Sequence, residues 1–265
     1  MKRRQLLTAT CAATLFGLHA MPALAQVRDL SDAINKAGRQ RALSQRMSKA
    51  WIMLVLGVEK TNAQSVLDKS LAVFDRQLIE LKSFAPTPDI KATYAQMDAS
   101  WSEYKTILVG NAPTRAAAPA LLALDSKVLA LAQQGTSQYE TALNQPLGKL
   151  VNIAGRQRML SQRMAKFYLA ANLPVDASVA AQEITLARTE FIAAMSTLRN
   201  APQATARIKE ELQLADAQWL FFDAALKKMN QGAADNKALS DVFVASENLL
   251  TVMDSITSLY SAIKV

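Results

Sequence analysis

Residues 35–47 read NKAGRQRALSQRM, and residues 152–164 read NIAGRQRMLSQRM. The two strings lie 117 residues apart and differ only at Lys36/Ile153 and Ala42/Met159. The likeness continues beyond them. Phe74 and Leu81 correspond to Phe191 and Leu198 at the same offset, and Asp98-Ala99-Ser100-Trp101 corresponds to Asp216-Ala217-Gln218-Trp219 one residue later. Val128-Leu129 matches Leu249-Leu250, and Tyr139 matches Tyr260. Self-similarity at one long period marks a duplicated structural unit. The division predicted here is a first unit over 26–144 and a second over 145–265.

Each unit reads as four helices. The apolar residues Leu71, Phe74, Leu78 and Leu81 recur at helical spacing, as do Ile184, Phe191, Met195 and Leu198. No run alternates with period two. In the first unit the helices are predicted over 27–60, 62–84, 89–109 and 114–143, with breaks at Pro86, Pro88, Asn111 and Pro113. In the second they are predicted over 147–171, 177–200, 205–230 and 236–263, with breaks at Pro174, Pro202 and Gly232. The fold class is therefore all-α: two tandem up-down four-helix bundles. Trp101, Trp219, the phenylalanines and the methionines are expected as bundle core.

Composition narrows the function. Lys2, Arg3 and Arg4 precede an apolar stretch that ends in Ala23-Leu24-Ala25, which reads as a cleavable secretory signal over residues 1–25. The apolar part is too short to span a bilayer, so a soluble periplasmic protein is expected. Cys11 and His19 are the only cysteine and histidine, and both fall within that signal. The mature chain then has no thiolate, imidazole or disulfide, which removes the usual ligands and bases of zinc, haem and Ser-His-Asp chemistry. No cofactor, metal or catalytic residue is expected, and the chain does not read as an enzyme. Without the three basic residues of the signal, formal charge falls from +8 to +5. A modest positive excess in an exported protein suits anionic ligands or envelope surfaces, and not nucleic acid.

The repeated string carries the remaining signal. On a helix, Gly38, Arg41 and Gln45 share one side with Ile34 and Ile52. Arg39 and Arg46 share the other with Ala42, Leu43 and Ala50. The second copy repeats this with Gly155, Arg158 and Gln162 against Arg156, Leu160 and Arg163. Each arginine sits among apolar or small residues, so at least half of it should be buried. Glycine inside a helix costs about 1 kcal/mol relative to alanine, so Gly38 and Gly155 point to close approach of a backbone or ligand. The motif arginines have no acid at i±3 or i±4. A buried guanidinium without a partner costs several kcal/mol. Either acids on other helices, with Asp75, Glu80 and Glu183 as candidates, or a diffusible anion must match them. Guanidinium suits planar oxyanions in two-point contact.

The strings INKAGRQRALSQRM and VNIAGRQRMLSQRM resemble the signature of PilJ-type N-terminal domains. Those are the periplasmic sensory modules of type IV pilus chemotaxis transducers, related to nitrate/nitrite sensor kinase input domains. The shared framework is I-N-x-A-G-x-x-R-M-x-S-x-R, and copy one departs from it at Ala42. The resemblance implies a four-helix bundle with the motif on its first helix. It also implies two such helices meeting at a dimer interface, where one nitrate is held by an arginine and the glycine-side backbone from each. Carried over, the ligand-binding residues are Arg41 and Arg158 with Gly38 and Gly155, supported by Asn35, Asn152, Arg46 and Arg163. Family receptors add membrane-spanning helices and a cytoplasmic half. This chain is expected to have neither, and so to act through a membrane receptor or sensor partner.

Two arrangements stay open. A tight turn at Asn144-Gln145-Pro146-Leu147-Gly148 would set the bundles side by side as a pseudo-dimer, with Arg41 facing Arg158. A near-continuous helix through Pro146 would place them end to end, and each motif would then need a second chain in a homodimer. The functional expectation is a periplasmic sensory module for a small oxyanion, nitrate or nitrite first. The alternative is a non-catalytic helical interaction protein that docks on a pilus, chemoreceptor or other envelope partner. An exposed apolar stripe opposite the motif helix would favour it.

Overall fold

The computed structural model describes residues 26–228 and 234–264. The expected signal over 1–25 and the break expected at Gly232 lie outside them. Among the described residues the regular elements are helices: α1 (Leu30–Leu56), α2 (Lys60–Phe84), α3 (Pro88–Val109), α4 (Ala118–Leu143), α5 (Pro146–Ala170), α6 (Ala177–Arg199), α7 (Ala206–Lys227) and α8 (Asn236–Ser261). Short polar side chains start most of them. Asp29 accepts the Asp32 N–H, Thr87 that of Ile90, Thr205 that of Ile208 and Asp235 that of Ala238. Each satisfies one of the orphan amides of a first turn.

Two boundaries differ by four residues from those predicted, and the others agree to within three. α1 stops at Leu56 because Gly57 takes the left-handed conformation, with φ 78°, and its N–H bonds back to Met53 and Leu54. The fourth helix begins after a single 3-10 turn, Arg115–Ala117.

The link between the copies is a reversal. Asn144 is left-handed at φ 48° and its N–H bonds to Glu140 O. Gln145 is then extended and Pro146 opens α5, where its missing N–H and fixed φ are harmless. The near-continuous helix through Pro146 does not form. The two units lie side by side, with α1 packed against α5 along their lengths. α1 also packs on α2 and α4, and α5 on α6 and α8, while α3 and α7 close each bundle against the fourth helix.

α8 fixes the direction of the central pair. Its Asp254 bonds Arg39 and Arg158, while its earlier residues Ser246 and Glu247 meet the later residues Lys49 and Gln162. α8 therefore runs opposite to both α1 and α5, which run parallel to each other. This places the two copies of the motif level with each other.

Repeat-equivalent aromatics fill the two bundles. Phe74 stacks on Trp101 at 4.1 Å and Phe191 on Trp219 at 4.5 Å. Trp101 is buried and donates to Asp75, whereas Trp219 is half-buried. Among the described residues one stretch, Arg115–Leu143, is long and apolar enough to cross a membrane by length and composition. It packs here as α4, with Leu121, Asp125, Val128, Ala132 and Tyr139 turned inward at helical spacing. Asp125 sits there fully buried against Lys166, as in a core helix.

Candidate functional site

Arg41 and Arg158 are fully buried and converge between α1 and α5. Each crosses to the opposite helix. Arg41 Nη2 donates to Asn152 O at 3.3 Å, and Arg158 Nη2 donates to Asn35 O at 2.9 Å. Arginine side chains lean toward the helix N-terminus, so each reaches the turn that holds the partner's asparagine. Gly38 and Gly155 make the crossing possible. A β-carbon at Gly38 would stand 3.0 Å from Arg41 Nη2 and 3.5 Å from Arg158 Nη2. At Gly155 it would stand 3.1 Å from Arg158 Nη2 and 3.5 Å from Arg41 Nη2. The space given up by the missing side chains is taken by the guanidinium groups themselves.

The two arginines are not equivalent. Arg158 Nη1 bonds Asn35 Oδ1 at 2.9 Å and the Asp254 carboxylate at 2.5 Å. Arg41 Nη1 bonds Gln133 Oε1 at 2.6 Å, and no described carboxylate lies within ion-pair distance of it. Nε of each has no partner. Burial, reinforced by Arg156 and Arg158, pulls Arg41 down from the ordinary 12.5 to about 9. Burial pulls Arg158 down to about 10, against the opposing pull of Asp254. Desolvation disfavours the charged form unless a partner restores it.

The other motif residues are placed differently. Asn35 joins the crossing through both its side chain and its carbonyl, whereas Asn152 joins through its carbonyl and turns its amide to Glu140. Arg46 and Arg163 stand outside the gap. Arg46 is held by Glu247 and Ser70, and Arg163 by Glu183, the one acid of the three sequence candidates that reaches a motif arginine. Asp75 serves Trp101 and Lys105, and Glu80 serves Lys36. Arg39 shares Asp254 with Arg158, and Arg156 is paired with Glu190.

Two grooves flank the crossing as near-mirror copies. One, of about 360 Å³, is lined by Arg39, Arg46, Arg158, Glu247 and Asp254. The other, of about 410 Å³, is lined by Gln133, Arg156, Arg163, Glu183 and Glu190. The acids enter the first from α8 of the other unit and the second from α6 of the same unit.

The last helices show how the copies diverged. The equivalence of Tyr139 and Tyr260 extends along α4 and α8, and both hydroxyls donate to equivalent carbonyls, Leu81 O and Leu198 O. It pairs Asp125 with Ser246, Ser126 with Glu247, Gln133 with Asp254 and Glu140 with Ser261. Each pair carries one carboxylate and one neutral side chain. The sequence reading missed these residues, although the repeat, followed to its end, contains the signal.

The sequence model of the family described as the type IV pili methyl-accepting chemotaxis transducer N-terminal domain, PilJ, matches residues 23–126 and again residues 139–243. The chain belongs to that family. Both PilJ segments contain one motif helix, so the crossing is made by the first helix of each. The family is one of sensory and signalling domains. The matched PilJ segments stop within the fourth helices, and Gln133 and Asp254 lie outside them. No curated protein and no solved structure matches the chain.

Proposed function

We propose that this PilJ pair is an exported sensory module in which the units 26–144 and 145–265 stand in for the two subunits of a dimer. Between α1 and α5 they hold one small oxyanion, nitrate or nitrite first. The observation that carries the reading is Arg41: a guanidinium fully removed from water, with an unpartnered Nε and no carboxylate within ion-pair distance among the described residues. A buried cation without a counter-charge costs several kcal/mol, which a bound anion would offset. A planar trigonal oxyanion fits the fork of guanidinium donors.

In this reading Arg41 and Arg158 supply the donors, and Gly38 and Gly155 keep the backbones close. Asn35 and Asn152 aim the guanidinium groups, while Arg46 and Arg163 lock the motif helices to their neighbours. The chain binds and does not react. Export follows the signal read over 1–25, and the bound state is passed to a membrane receptor or sensor partner.

Scanning calorimetry tests this. Nitrate at 100-fold above Kd adds about 2.7 kcal/mol to the folded state, a Tm rise of roughly 5–10 °C at this size. Absence of a nitrate-specific rise at constant ionic strength, with chloride as the reference salt, rejects the reading.

One feature favours docking on an envelope partner instead. Leu220 and Phe221 on α7 are 70% and 69% exposed, on the helix that packs least on α5 within its bundle. Retention of periplasmic partners by the chain, lost in Leu220→Ser/Phe221→Ser and kept in Arg41→Glu/Arg158→Glu, would support docking over sensing.

A further inference from the structure

Gln133 and Asp254 occupy equivalent places on α4 and α8, and each gathers two guanidinium groups. Gln133 Oε1 accepts from Arg41 Nη1 at 2.6 Å and Arg156 Nη1 at 2.9 Å. Asp254 accepts from Arg158 Nη1 at 2.5 Å, and from Arg39 Nη2 at 2.8 and 2.9 Å. The donors are pseudo-symmetric: Arg41 matches Arg158, and Arg156 matches Arg39. The acceptors differ by one unit of charge. An amide oxygen satisfies a donor without neutralising it. Arg156 has Glu190 as a counter-charge, so the deficit falls on Arg41. Glu190 and Glu140 act on Arg41 only through their fields and do not touch it.

We propose that Asp254 is a built-in anion that closes one half of the crossing, and that Gln133 marks the half left for a diffusible one. The site then takes a single monovalent oxyanion, held on the Gln133 side of the crossing. This rests on the oxyanion reading above and adds to it a limit on the ligand's charge and two specificity-determining residues. Each flanking groove carries two acids, Glu247 and Asp254 in one and Glu183 and Glu190 in the other, so the difference lies at the crossing itself. There Arg158 meets the Asp254 carboxylate, whereas Arg41 meets the neutral amide of Gln133. A second negative charge on the ligand would have no unmatched guanidinium to receive it.

The experiment uses the full chain and three variants: Gln133→Glu, Asp254→Asn, and the double exchange that moves the carboxylate to the other half. Sodium nitrate is titrated against sodium chloride at constant ionic strength, by calorimetric melting and isothermal titration. Without nitrate, Gln133→Glu is expected to melt above the wild type and Asp254→Asn below it. Gln133→Glu is expected to bind nitrate at least about tenfold more weakly, since its own carboxylate fills the place. The double variant is expected to regain both the melting temperature and the nitrate response. It also covers the case in which Asp254→Asn alone does not fold.

Wild-type nitrate affinity in Gln133→Glu overturns the proposal, as does a double variant that behaves like the worse of its parents. Should the wild type ignore nitrate, the oxyanion reading fails. The built-in anion is then judged on the nitrate-free melting order alone: Gln133→Glu above wild type above Asp254→Asn supports it, and any other order overturns it.

Discussion

Lys49 and Lys166 hold the same place in the two copies, and each takes its counter-charge from the other copy. Lys49 on α1 is bound to Glu247 and Ser246 on α8, both at 2.7 Å. Lys166 on α5 is bound to Asp125 on α4 at 2.5 Å. Both lysines are buried. The interface between the units is thus a polar ladder on the flanks of a helix pair, and each rung spans the two bundles.

The Lys166–Asp125 rung should be the most sensitive of these contacts. Both partners are buried, so removing one leaves an uncompensated charge, at about 3–5 kcal/mol. Asp125→Asn is expected to lower the unfolding free energy, measured by urea titration, by that amount. The double variant Asp125→Asn/Lys166→Met should recover most of it. A single variant that melts like the wild type would show that the rung bears no weight.

The Glu247 rung sets an acid limit. Burial raises this carboxyl, but Lys49 and Arg46 outweigh it and bring it from 4.5 to about 2. A carboxylate with a depressed folded pKa stabilises above its unfolded value, and that contribution disappears as pH falls through the folded one. Between pH 4.5 and about 2 the fold should lose on the order of 3 kcal/mol from this group. Glu247→Gln should flatten that part of the stability profile measured by urea titration. An unchanged slope would refute the assignment.

Arg41 and Arg158 should answer differently to an apolar isostere. Arg158→Met strands Asp254 beside Arg39 alone and breaks three hydrogen bonds. A loss of about 2–4 kcal/mol is expected. Arg41→Met removes a cation that has no carboxylate partner, so it should cost under about 1 kcal/mol, or stabilise. Nitrate binding should vanish in both. Equal losses of stability would mean that Arg41 is matched within the fold as fully as Arg158.

Gly38 and Gly155 test the crossing itself. Alanine would ordinarily add about 1 kcal/mol to a helix interior. Here its methyl group would press on guanidinium groups pinned to the opposite backbone. Gly38→Ala and Gly155→Ala are therefore expected to lose about 1–3 kcal/mol instead of gaining. A higher melting temperature in either variant would show that the arginines shift freely.

Much of this was legible in the sequence. The repeat, the proline breaks and the apolar spacing specified eight helices, and the turn of the motif put Gly38 and Arg41 on the face that meets α5. The ends of α1 and the start of α4 were less legible, because Gly57 and the 3-10 turn act through local backbone geometry that periodicity does not register. The acids were harder still. Asp254 and Glu247 are brought to Arg39 and Arg46 by packing between helices far apart in the chain, and Glu190 reaches Arg156 from the next helix along. The equivalence of Gln133 and Asp254 lies between the matched pairs Val128/Leu249 and Tyr139/Tyr260, but its meaning depends on the packing that brings both residues to the motif arginines.

The sharing of four carboxylates between α4 and α8 also gives the duplication a direction. A lone first half pairing with itself would put Gln133 and Ser126 where Arg39 and Arg46 now find Asp254 and Glu247, and leave both arginines without those acids, while a lone second half would crowd Asp254 onto Arg156, which already has Glu190. Neither copy can now be lost without stranding charges in the survivor, so the doubled gene is held in place by its own ion pairs.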